Sequence, residues 1–152
     1  MSALPTIKSA FHSRLAPIPG LKGVFGAGKM LSSRQLPGAV LDLGVVNFDD
    51  LGIQSEPGAP RLLACKLQVD IIVVDDAVAD DFAEVTYGLR NLAIAALVGV
   101  LDDVPGIESC RLLSATPHEF VSEAGRQGGY HLAYLVDFTV SEDDPGTLVP
   151  RF

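Results

Sequence analysis

Two segments constrain this chain more than any other feature. Leu62 to Val74 sets Leu63, Cys65, Leu67, Val69, Ile71 and Val73 on one side, with Lys66, Gln68 and Asp70 between them. Tyr130 to Val140 repeats the pattern, with Tyr130, Leu132, Tyr134, Val136, Phe138 and Val140 against His131, Asp137 and Thr139. A period of two over such lengths specifies β-strands with one apolar and one wetter face. Strands of this kind must pair into a sheet, and the apolar face must be covered.

Two helical segments can supply the cover. Leu4, Ile7, Phe11 and Leu15 recur at spacings of three and four, which puts them on one face. Pro5 suits the first turn, and Pro17, Pro19 and Gly20 end the helix. The second helix is expected to start at Asp81, whose spacing to Glu84 matches a capping box, and to run to about Leu101. Phe82, Val85, Leu89, Leu92, Ala96 and Val100 form its stripe. Ala93, Leu97 and Leu101 widen it until the last turns are apolar nearly all round. Such a helix needs covering on more than one side, by the sheet and by the first helix or a neighbouring subunit. Pro105 and Gly106 stop it.

The remaining segments complete the order. Leu21 to Lys29 is a glycine-rich stretch with room for a short strand. A strand is expected from Ala39 to about Asn47, with Ala39, Leu41, Leu43 and Val45 on one face and Val40, Asp42, Gly44 and Val46 on the other. A long hairpin loop, Asn47 to Pro60, holds Asp49, Asp50, Gly52, Pro57 and Gly58. Ser109 to Ala115 reads as a strand, Pro117 to Gly129 as a turn region, and the acidic segment from Ser141 as an extended arm. Neighbouring strands joined by short loops pair antiparallel. The expected architecture is α+β: a mainly antiparallel sheet of four or five strands, a long central helix packed on one face, and an N-terminal helix. Residues 1–152 are expected to form a single domain, with a folded core over 3–140 and an extended C-terminal arm over 141–152.

Composition removes several classes. The chain has 152 residues, 48% hydrophobic and only 20% charged, with a net charge of −8. Disorder requires the opposite balance. The longest apolar run, Leu92 to Leu101, has ten residues, whereas a membrane-spanning helix needs about 20. No basic patch for a phosphate backbone is visible. Cys65 and Cys110 read as buried free thiols. No secretory signal precedes the domain, so synthesis in a reducing cytoplasm is expected. The apolar surplus exceeds what a domain of this size needs for its core, which points to surface covered by another chain.

Candidate chemistry is sparse. Gly23 to Met30 reads G-V-F-G-A-G-K-M, close to the phosphate-binding loop, but Met30 stands where a hydroxyl residue should bind Mg²⁺. The stretch after it is also too short for the helix that loop requires. Five Asp-Asp pairs, at 49–50, 75–76, 80–81, 102–103 and 143–144, could attract divalent cations. Each lies at an element boundary, where aspartate favours turns and caps. His12, His118 and His131 lack the spacing of zinc ligands, and no serine sits in a nucleophile elbow. No catalytic, cofactor or metal residue is assigned, and the chain does not read as an enzyme.

The order and patterning over about residues 3–142 resemble the tail-terminator or minor tail protein family of Mu-like long-tailed phages and prophages. The resemblance is carried by the N-terminal amphipathic helix, L-P-G-A-V-L-D-L-G at 36–44, K-L-Q-V-D-I-I-V-V-D at 66–75 and A-D-D-F-A-E-V at 79–85. L-D-D-V-P-G at 101–106 and G-G-Y-H-L-A-Y-L-V-D-F-T-V at 128–140 continue it. It implies a non-enzymatic virion subunit in the tail or neck, assembled in the host cytoplasm, that forms a ring, usually hexameric. That ring would cap the tail tube, stop its polymerisation and join tail to head. The implied partners are further copies of itself, the tail tube protein, a neck or connector protein, and a sheath if the tail contracts. DNA would only pass through a lumen, which acidic walls would help by repulsion. No membrane and no cofactor are implied. By position, the long loop (Phe48, Asp49, Asp50, Leu51, Ile53, Gln54 and Glu56) and the C-terminal arm (Leu148, Val149, Arg151 and Phe152) are the expected contact elements. A head–tail connector or tail-completion protein is the alternative within this class. A small dimeric α+β ligand-binding module or enzyme, with the Asp pairs or Gly23 to Lys29 as its site, is the alternative outside it.

Overall fold

The two alternating strands lie side by side at the centre of the sheet. In the computed structural model, which describes residues 1–26, 31–54, 56–77, 80–122 and 125–150, they are β3 (Leu62–Asp76) and β5 (Gly125–Ser141). They pair antiparallel, with Leu67 opposite Val136, Val69 opposite Tyr134 and Ile71 opposite Leu132. These side chains all point to one face, which is why the register is fixed: a one-residue slip would turn every one of them to solvent. The flanking strands are β2 (Gly38–Asp50), antiparallel to β3, and β4 (Ile107–Ser122), antiparallel to β5. At one edge, β1 (Val24–Gly26) runs parallel to β2. β6 (Asp144–Leu148) pairs with the end of β5.

The class is α+β, as expected, but the sheet is larger and mixed. Among the described residues it has six strands, in the order β1-β2-β3-β5-β4 with β6 beside β5, instead of four or five. β1 and β2 run parallel, so they do not form a hairpin with each other. The expected turn region from Pro117 to Gly129 is largely strand. Pro117 is tolerated there because β4 is an edge strand, where a missing N–H costs no ladder bond. Gly129 is required on β5: a Cβ there would sit 1.8 Å from the Val73 carbonyl oxygen. β2 carries a bulge between Leu43 and Val46 that breaks the expected alternation. Beyond it, Val46 packs against the core instead of continuing the outer face with Asp42 and Gly44.

Two helices cover the apolar face. α1 (Ala3–Leu15) buries Ala3, Ile7, Phe11 and Leu15, with Phe11 edge-on to Tyr134 at 5.6 Å between ring centroids. Leu4, expected on the buried face, stays 40% exposed. α2 (Phe82–Ala96) buries Thr86, Leu89 and Ala93, and lies over β3 and β5. It is shorter than expected. Gly99 takes a left-handed backbone with φ of 69°, and tight turns replace the helix from Leu97 onward. Leu97, Val100 and Leu101 are still buried, so the apolar stripe continues where the helix does not. Arg14 of α1 closes that end, donating to the carbonyls of Ala96 at 3.1 Å and Val98 at 3.2 Å, a natural place for a cation. The other end departs from expectation too: Asp81 makes no side-chain cap bond, so the capping box is not formed.

The second face of the sheet carries a small apolar cluster at the β1 end. There Leu31, Val40 and Val74 pack with Phe25, Leu36 and Ile72. Among the described residues no helix is long and apolar enough to cross a membrane.

Candidate interaction surfaces and cavities

The long hairpin loop is shorter than its sequence suggests. Phe48, Asp49 and Asp50 belong to β2, paired with Cys65, Ala64 and Leu63. Only the span after Asp50 turns. Its tip is held locally: Asp50 Oδ1 accepts the Gly52 N–H at 2.7 Å, the Gln54 amide donates to the Ala59 carbonyl at 2.7 Å, and Arg61 pairs with Asp50 at 3.3 Å. Gly52 and Gly58 supply the positive φ the turn requires. Phe48 and Ile53 remain exposed, at 51% and 42%. Leu51 is half-buried, while Gln54 and Glu56 are exposed. An ordered tip with two bare apolar side chains suits contact with another chain.

The C-terminal segment, expected as an extended arm, returns to the sheet. Leu148 of β6 is buried opposite Val140. The Leu148 N–H donates to the Met1 carbonyl and the Val149 N–H to the Thr139 carbonyl, both at 2.9 Å. Backbone bonding and burial of Leu148 favour this docking over a free arm. Leu148 is thus a core residue and Val149 is half-buried. Arg151 and Phe152 lie outside the described residues, as do Lys29 and Met30 of the glycine-rich stretch. Gly26 and the residues just before it form β1, which is an edge strand and not a loop opening a helix.

On this second face the fold joins groups far apart in sequence. His131 Nε2 lies 2.7 Å from Asp70 Oδ1, and Gln68 donates to the same oxygen at 2.8 Å. Asp42 sits directly across from Asp70 in the ladder. His131 thereby gives Asp70 a hydrogen-bonding partner on the side away from this like-charge neighbour. The His118 ring stands edge-on to His131 at 6.3 Å. Burial, then the charge of His131, lower the His118 pKa from its ordinary value. The sequence separation of 61 residues hides the His131–Asp70 pair, although both are legible as outer-face positions. His12 is exposed on α1. Among the described residues, no group of three or more His, Cys, Asp or Glu could hold a metal ion.

The aspartate pairs stay at turns and strand ends. Asp75 alone is buried, and burial raises its pKa, opposed by the hydrogen bond it accepts from the Asp76 N–H. Both cysteines are free. They lie on β3 and β4, on either side of β5, and burial pushes both thiols up to about 11, so they remain protonated and unreactive at neutral pH.

Sequence reasoning missed one cavity of about 470 Å³. It lies at the corner where the start of α2 meets the β4–β5 hairpin. Phe82, Thr86, Pro117, His118, Gly128, Gly129 and Tyr130 are among its lining. Glu119 and Arg126, ion-paired to each other, stand in the same lining. The consecutive glycines at 128 and 129 were the available signal. Nearby, buried Gln127 ties the two backbone groups of Leu31: its amide donates to the Leu31 carbonyl at 2.5 Å and accepts the Leu31 N–H at 3.2 Å.

No protein-family model and no curated protein matches this chain. Among solved structures, it is similar to a chain of the virion of a native gene transfer agent particle, at 18% identity and a TM-score of 0.37. That match covers 88% of this chain and 94% of the other. A superposition of that quality does not define a shared fold.

Proposed function

We propose that this chain is a structural virion protein, a tail terminator whose copies form a ring on the last tail-tube layer, stop its growth and join it to the head. The observation that carries the reading is the distribution of bare apolar side chains. Phe48 and Ile53 on the hairpin, Tyr87, Leu92 and Val98 on and just after α2, and Leu112 and Leu113 on edge strand β4 are all exposed. Such surfaces on several sides of one small subunit suit a chain surrounded by neighbours. The sequence resemblance over residues 3–142 adds the identity of the assembly. In this reading the partners are other copies, the tube protein and a neck protein. The described hairpin residues Phe48, Asp49, Asp50, Leu51, Ile53, Gln54 and Glu56 serve as contacts, while Leu148 and Val149 hold the terminal segment to the sheet.

The test is to add purified protein to tail tubes that are still elongating and to image them. Capped tubes of arrested length, with ring density at one end, are expected. Tubes that keep growing with no protein at their ends would exclude a terminator. Binding at the head-side neck alone would favour the connector alternative. The corner cavity favours a second reading, a small ligand-binding module, which predicts a monomer or dimer in solution and no association with tubes.

A further inference from the structure

Charge is divided unevenly along this chain. Lys8, Arg14, Lys22, Lys29 and Arg34 are the only charged residues before Asp42. The first 41 residues thus carry five of the 11 basic residues and none of the 19 acidic ones. The fold turns this into a lateral asymmetry. The early segment builds α1, which packs against β2, β6 and α2, and β1, one edge of the sheet. On α1, Arg14 turns towards α2, while Leu4, Lys8 and His12 follow one another along the opposite flank at helical spacing. Lys22 is exposed just before β1.

The other edge is β4, with α2 lying over β3 and β5. Glu119 of β4 lines the corner cavity, and Asp80, Asp81 and Glu84 flank its Phe82 at the start of α2; all four are exposed. Two cations stand near them. Arg126 is already paired to Glu119, and Arg90 lies over the Tyr87 and Tyr130 rings at 4.3 and 4.9 Å. The two edges are also level. Following the ladder across, Phe25 of β1 aligns with Val40, Ile72, His131 and Thr116, and the cavity opens beside that last position.

We infer that these edges are the two halves of one head-to-tail interface between copies of this chain: the basic β1 flank, with Lys8 and Lys22, docks on the acidic corner formed by Asp81, Glu84 and Glu119 of the next copy. The inference rests on the ring reading and assigns its faces. Because the halves differ, the contact is heterologous, and repetition closes a ring where the rotation allows. Opposed potentials set which faces meet and speed their encounter. The cavity between Phe82, Pro117 and Tyr130 offers a socket for an apolar side chain arriving with the basic flank, and filling such pockets concentrates binding energy in interfaces.

The experiment uses two charge-reversed full-length chains, Lys8→Glu with Lys22→Glu, and Asp81→Lys with Glu84→Lys, each checked for wild-type circular dichroism. Sedimentation velocity is run on wild type, each variant and their equal mixture, at low and high salt. Wild type should form a closed oligomer that weakens with salt. Each variant alone should associate about tenfold more weakly or worse. The mixture should recover the oligomer, because every contact in an alternating ring is again between opposite charges. A wild-type ring with unaffected variants, or with no recovery on mixing, overturns the assignment of faces while leaving the ring intact. A wild type that stays monomeric at low salt overturns the ring reading and this inference together.

Discussion

On the helix-covered face of β3, Cys65, Leu67, Val69, Ile71 and Val73 are all fully buried. On the other face, Lys66 and Gln68 are exposed and Asp70 is half-buried beside His131. The same strand therefore serves two environments one residue apart. The covered face is closed by side-chain packing. The open face is filled by hydrogen bonds and charge, except at the β1 end, where Leu31, Val40 and Val74 close it. Packing penalises any lost volume, whereas a solvated polar surface tolerates change. Stability should accordingly reside on one side of the sheet and adaptability on the other.

The sharpest way to break this contrast lies between the faces. Gly129→Ala forces a Cβ against the Val73 carbonyl, and should cost more than about 4 kcal/mol or prevent folding. Gly146→Ala, with open space around it, should be near neutral in the same urea titration. Next, Phe11→Ala on the covered face should cost about 3–5 kcal/mol. Lys66→Ala on the open face should stay within about 0.5 kcal/mol. Equal costs for that pair would show that the open face also carries the fold.

The buried Gln127 clamp tests the closed end of the open face. Gln127→Leu leaves the Leu31 N–H and carbonyl without this partner and should cost about 1–3 kcal/mol. Hydrogen exchange should then quicken over residues 31–36 more than in β3. The smallest expected effect depends on pH. The His118 pKa is lowered in the folded protein, so the fold favours neutral imidazole. That contribution is present above the unfolded value of about 6.5 and is lost as pH falls through the lowered folded value. The urea midpoint should therefore drop on acidification, and less so in His118→Gln. Asp75 works the other way: its raised pKa means that its ionised form opposes folding. Asp75→Asn should raise the midpoint at neutral pH, with the gain fading as pH falls.

Much of this architecture is legible in the sequence. The core sides of β3 and β5, the face of α1 and the start of α2 follow from periodicity, because a side chain's direction is fixed by its place in a regular element. The misreadings share a cause. Gly128 and Gly129 look like turn residues, yet they lie in β5 because another backbone approaches them closely. Pro117 looks like a strand breaker, yet it lies on an edge. The bulge at Leu43/Val46 moves Val46 to the core side, and no local signal marks it. Asp81 has the spacing of a cap and does not form one. In each case a partner distant in sequence decided the outcome.

The candidate surfaces divide in the same way. The apolar surplus, the acidic turns and the hairpin between β2 and β3 are properties of the sequence alone. It also carries the charge division at Asp42, although not its geometry. Tertiary structure decided that the terminal segment closes on Met1, that His131 meets Asp70, and that a cavity opens beside β4. It also decided that β1, from the acid-free first part of the chain, and β4 are the two edges of one sheet. Local patterning sets which side of an element is apolar, while strand order sets which elements become edges. Strand order follows from long-range pairing, which no short stretch of sequence encodes.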